Sequence, residues 1–140
     1  MKGMRLLLVV AAALVVAASA SAATPTNPVR ATMSASSTTP LADTPWRYTI
    51  VVKDRAGKPL TAKARLQILL GTLVVGCWKR TAMVQCSGAR SGTWISFKGK
   101  RTGVLTWPAQ SAGVKLTFQA TVVAAGRALK LRTPVTVKLP

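Results

Sequence analysis

The chain of 140 residues contains no histidine and no glutamate, and its only carboxylate side chains are Asp43 and Asp54. General acid–base catalysis needs a group that changes protonation near neutral pH, and His and Glu supply most of them. Their absence excludes a Ser–His or Cys–His nucleophile. Zinc and copper sites need clustered His, Cys or carboxylates. Calcium needs several oxygen ligands, and the two aspartates are far apart in sequence. No G-x-S-x-G is present, and GKRTG at residues 99–103 lacks the spacing of a phosphate-binding P-loop. A Ser–Lys pair is the remaining nucleophilic arrangement, and no motif marks one. The expectation is a non-enzymatic protein without a metal or a cofactor.

Long apolar runs are also scarce. The one that stands out, residues 6–18, follows Lys2 and Arg5 and precedes the small-x-small sites Ala18-Ser19-Ala20 and Ala20-Ser21-Ala22. Thirteen residues rise only about 20 Å as a helix, short of the roughly 30 Å hydrocarbon core. Residues 1–23 therefore read as a signal peptide cleaved near residues 20–23, and not as a membrane anchor. No Cys follows for lipid attachment, and no second span is expected. The mature chain is expected outside the cytoplasm, secreted or at the cell envelope.

Residues 24–44 are rich in Thr, Ser, Pro and Ala, with only Val29, Met33 and Leu41 as larger aliphatics. Such a composition offers little apolar burial against its conformational entropy, so it reads as a flexible linker.

From Trp46 onward the hydrophobic period is two. Trp46, Tyr48, Ile50 and Val52 alternate with Arg47, Thr49, Val51 and Lys53. The DRAGKP turn at residues 54–59 follows, in which Asp54 bonds backbone amides and Gly57 takes positive φ. Leu60, Ala62, Ala64, Leu66, Ile68 and Leu70 then share one face, opposite Thr61, Lys63, Arg65 and Gln67. A strand sorts these residues fully, whereas a helix scatters them. Further strands are expected over residues 72–79, 83–87, 93–98, 103–108, 114–123 and 128–139. Pro134 falls in an outward register that suits an edge strand. About seven to eight short antiparallel strands over residues 45–140 predict one all-β sandwich domain.

The stretch W-x-Y-x-I-x-V-x-D-x-x-G-x-P at residues 46–59 resembles the first hairpin of bacterial immunoglobulin-like (Ig-like) domains. VKLTFQATVVAAGRALKL at residues 114–131 resembles their closing hairpin. The resemblance implies an Ig-like β-sandwich serving adhesion, spacing or ligand binding, and it carries over no catalytic residues.

Cys77 and Cys86 are the only cysteines, and an even pair in an exported protein reads as a disulfide. Pairing 77 with 86 across a hairpin leaves Thr81-Ala82 as its tip. Closing so short a loop stabilises the fold by about 2.5 kcal/mol.

Twenty Lys and Arg give a net charge of +18, of which only Lys2 and Arg5 lie in the leader. Alternate turns of an antiparallel sandwich fall at one end. That places Arg55, Lys58, Lys79, Arg80, Lys98, Lys100, Arg101 and Arg127 at a basic pole able to attract polyanions. The bland alternative is that the charge only solvates loops and strand faces. Trp78 and Trp94 fall in outward registers, where cross-strand packing is their commoner use and stacking on a sugar or base the sharper one. No motif for sequence-specific nucleic-acid recognition is present. Two functional expectations remain: an Ig-like structural, adhesive or protein-interaction module at the envelope, and a soluble cationic binder of anionic polymers or membrane surfaces.

Overall fold

A computed structural model describes residues 28–140. The signal peptide expected at residues 1–23 lies outside the described residues. Nine strands form: β1 (Val29–Ala35), β2 (Pro45–Asp54), β3 (Thr61–Leu70), β4 (Leu73–Lys79), β5 (Ala82–Gln85), β6 (Ile95–Lys98), β7 (Lys100–Thr106), β8 (Lys115–Ala124) and β9 (Arg127–Thr136). One 3-10 turn, Ala109–Ser111, is the only helical element among the described residues. No described helix is long and apolar enough to cross a membrane.

The strands pair antiparallel in two sheets, one ordered β1-β2-β7 and the other β5-β4-β3-β8-β9. β6 joins the second sheet by taking the N-terminal half of the β3 edge, Thr61–Ala64, while β4 takes the C-terminal half. In chain order this is the arrangement of the Ig fold: a small sheet of first, second and seventh strands faces a large sheet whose centre is the third and eighth. The fold is an antiparallel Ig-like β-sandwich. A parallel bridge from Leu41 to Lys138 ties the segment between β1 and β2 to the residues that follow β9.

Alternation places the core. Trp46, Tyr48, Ile50 and Val52 of β2 are buried against Ala64, Leu66, Phe118, Ala120 and Val122 of the large sheet. Phe118 meets Tyr48 and Trp46 at centroid distances of 5.0 and 5.1 Å, and Trp46 meets Trp107 edge-on at 5.3 Å. Aromatic pairs in these geometries contribute about 0.5–1.5 kcal/mol each beyond area burial. Gly103 stands opposite Tyr48 in the β2–β7 ladder, and a Cβ there would clash with the phenol end of the tyrosine.

The 54–59 turn forms as its residues dictate. Asp54 Oδ1 accepts the amides of Ala56 and Lys58, each at 2.9 Å, and Gly57 has φ +84°. β9 is an edge strand, so Pro134 costs no ladder bond.

Three expectations need correction. The segment read as a linker supplies β1 from Val29, which pairs along its length with β2 and adds a ninth strand. Its alternation is real but made of small residues: Val29, Ala31, Met33 and Ala35 turn inward, while Arg30, Thr32 and Ser34 are exposed. The Trp46 indole also donates to Ser37 O at 2.7 Å, fixing the strand's exit. Second, the β4–β5 hairpin pairs Cys77 with Val84 and Lys79 with Ala82, so its tip is Arg80-Thr81 with Arg80 at φ +58°. Third, an irregularity beside Ile68 and Leu69 resets the face of β4. Trp78 consequently packs against the core instead of pointing outward.

Candidate functional site: a roofed groove on the large sheet

The central strands of the large sheet set their outward residues in rows. Arg65 stands beside Thr121 and Lys130, and Gln67 beside Gln119 and Arg132. On a two-sheet sandwich this face would normally meet solvent. Here Gln67, Gln119 and Thr121 are nine-tenths buried or more, and the loop at residues 86–94 folds over the sheet at Gln67.

Local bonds hold the loop there. Cys77 and Cys86 form the expected disulfide, anchoring the loop's start to β4. The Gln67 amide donates to Ala89 O at 3.0 Å and to Ser91 O at 2.8 Å. The Arg65 guanidinium donates to Arg90 O at 3.2 Å and to Ala89 O at 3.4 Å. Gly92, at φ +109°, lets the backbone lie on Arg65: a Cβ there would stand 3.1 Å from Arg65 Cγ and 3.4 Å from Cys77 Cβ.

Between this loop and β9 lies a groove of about 460 Å³, lined among others by Arg65, Gln67, Gln119, Thr121, Lys130 and Arg132. Its floor is a hydrogen-bonded series: Gln119 donates to Gln67 Oε1 at 3.4 Å, and Arg132 Nε donates to Gln119 Oε1 at 2.8 Å. Neither aspartate lines it. Arg65 Nε is buried without a hydrogen-bond partner.

Trp94 sits at the neighbouring rim, with Lys63 Nζ 4.8 Å and Arg65 Cζ 4.6 Å from its ring centroid. The ring's negative face is thus engaged by two of the protein's own cations.

A second cavity, about 560 Å³, opens near Trp107, Met83, Val84 and Leu116. Asp43 lines it and no Lys or Arg does, so it offers an anion no opposite charge.

The residues assigned to a basic pole divide. Arg55, Lys58, Lys98 and Arg127 gather where β2 gives way to β3, since Lys98 pairs with Thr61 and Arg127 closes the β8–β9 turn. Lys100 follows one residue beyond Gly99, opposite Val51. Lys79 and Arg80 lie elsewhere, beside the middle of β3, where the Arg80 amide bonds Thr93 Oγ1 at 3.3 Å. Arg101 lies opposite Ile50, and its Nε reaches the Tyr48 hydroxyl at 3.4 Å. Cations also mark the outer face of the small sheet, at Arg30, Arg47 and Lys53, so the large sheet is distinguished by its groove rather than by charge alone.

Sequence reasoning missed Arg65, Gln67, Gln119, Lys130 and Arg132 as a group. Their outward alternation was visible, but the loop that roofs them is a long-range feature with no local signature.

Among the described residues no three His, Cys, Asp or Glu side chains come together to hold a metal ion. No family model matches the chain, and no curated protein matches it. Among solved structures it is similar to the CARDB domain of a Pyrococcus furiosus protein, crystallised in complex with di-metal ions. That similarity has a TM-score of 0.43 and 18% identity, covering 78% of this chain and 86% of that one. It is also similar to Spo0M, the sporulation control protein of Bacillus subtilis, with a TM-score of 0.45 and 10% identity. Here 81% of this chain is covered, and the match spans 50% of the Spo0M chain.

Proposed function

We propose that this protein is an exported, non-enzymatic Ig-like binding module of the cell envelope, and that the outer face of its large sheet contacts an anionic partner. The observation that carries the reading is the placement of Arg65, Lys130 and Arg132 along one groove that neither aspartate lines, with Lys63 in the next outward row of β3. Uncompensated cations on a face attract anions over roughly a Debye length, about 8–10 Å at ordinary salt. The leader pattern and the disulfide support export, and the absence of His and Glu supports a role in binding.

The test is retention of the purified chain on beads bearing an anionic envelope polymer, measured across increasing salt. A charge-driven module elutes progressively as salt rises. Retention that ignores salt would favour the purely packed, adhesive alternative, and no retention at low salt would remove the proposal.

A further inference from the structure

Resting on that reading of the large-sheet face, we infer that the groove recognises an acidic glycan, with one carboxylate or phosphate held at its cationic end and hydroxylated chain along the rest. Three observations point to this class.

First, the charge is confined to one end. The groove runs along β3 from Arg65 to Gly71, about 20 Å at strand rise. Arg65 and Lys130 stand in its first row and Arg132 in the next, whereas the lining residues farther on, Leu69, Thr72 and Thr117, are uncharged; Lys115, two positions beyond Thr117 on the same face, does not line the groove. A nucleic acid strand carries a phosphate at every nucleotide, so it would lay uncompensated charge along the neutral half. An acidic glycan with spaced charges would not.

Second, Arg132 is held ready for an oxyanion. Its Nε–H is committed to Gln119 at 2.8 Å, which fixes the guanidinium plane. Its outer nitrogens retain the fork of donors that matches a carboxylate or phosphate. Gln119 is in turn bonded to Gln67, so the fork rests on two buried amides.

Third, the floor is polar where an aliphatic floor would cost less. Gln67, Gln119 and Thr121 are buried on a face where Val or Leu would pack without a hydrogen-bond requirement. The Gln67 amide is spent on the loop and on Gln119, so what the floor keeps for sugar hydroxyls is the second N–H of Gln119 and the Thr121 hydroxyl. The nearby aromatic ring, Trp94, carries Lys63 and Arg65 against it and does not line the groove.

The experiment is calorimetric titration of the full chain with four probes: a hyaluronan oligomer with a carboxylate on alternate sugars, a glucose oligomer with one terminal phosphate, a neutral glucose oligomer and an oligothymidylate. Two variants keep the groove's charge, Gln119→Leu and Arg132→Lys, and melting curves establish that they fold. Because Arg132 is exposed, its variant remains informative if the Leu substitution unfolds the sheet. The expected result is binding of at least one acidic oligomer, weakened about tenfold or more in each folded variant. Whether the carboxylate or the phosphate oligomer binds identifies the source of the oxyanion. Oligothymidylate binding as tightly, or the variants binding as the parent does, would overturn the groove inference while leaving general attraction to the face intact. Failure of every anionic probe would remove both.

Discussion

Arg132 Nε lies 2.8 Å from Gln119 Oε1, joining an exposed cation on the edge strand to an amide buried in the middle of the sheet. Edge arginines are ordinarily free to sample several rotamers, and a tethered one gives up that entropy before any partner arrives. The tether continues inward, since Gln119 bonds Gln67 and Gln67 holds the loop at residues 86–94. Local sequence, loop position and surface charge therefore act together at one place.

The loop's anchor is testable. Cys77 and Cys86 are separated by 9 positions, so their bond closes a small loop and should contribute about 2.5 kcal/mol. Non-reducing mass spectrometry should find the two linked within one chain. Denaturant melts of a Cys77→Ser, Cys86→Ser double variant should show a loss of that size. Two alkylatable thiols in freshly purified protein would contradict the assignment.

The β1 strand makes a separate prediction. A flexible linker would exchange its amides freely, whereas Val29–Ala35 pairs with β2 throughout. Hydrogen exchange should show ladder-bonded amides of this segment protected by orders of magnitude over an unstructured peptide. Exchange at peptide rates would restore the linker.

Gly103 is the position least able to accept a side chain. Its Cβ would clash with the phenol end of Tyr48, a ring that is itself buried and packed on Phe118. Gly103→Ala should destabilise the fold by about 1–3 kcal/mol through overpacking. Ala at Gly113, where a Cβ meets nothing within 4 Å but φ is +78°, should cost only the left-handed strain of about 1–2 kcal/mol. Chemical denaturation of both variants checks the order, and an unperturbed Gly103→Ala protein would contradict the close approach.

Much of this fold is legible in the chain itself. Period-two alternation marks β2, β3 and β8, because each buries one face completely against large aromatic or aliphatic neighbours. The 54–59 turn is local chemistry, and Pro134 announces an edge. β1 is harder to read, since an edge strand can pack with Ala and Met and shows little contrast. The hairpin register turns on Arg80 taking φ +58°, which a non-glycine residue does not announce, and the face of β4 on an irregularity beside Ile68 and Leu69 that is set by tertiary pairing. The groove is hidden most deeply. Gln67 reads as a solvated strand residue until Ala89 and Ser91, more than twenty positions away, lie over it.

The most direct test of the account compares where charge sits. One variant reverses Lys63, Arg65, Lys130 and Arg132 to Glu, on the large-sheet face. The other reverses Arg55, Lys58, Lys98 and Arg127, at the end where β2 passes into β3. Both change net charge by the same amount, so long-range attraction alone affects them equally. Circular dichroism first establishes that each retains its β structure. At near-physiological salt, the account predicts that the sheet-face variant loses retention on the acidic polymer while the end variant keeps most of it. Equal losses, or a greater loss in the end variant, would contradict the assignment of binding to the large-sheet face.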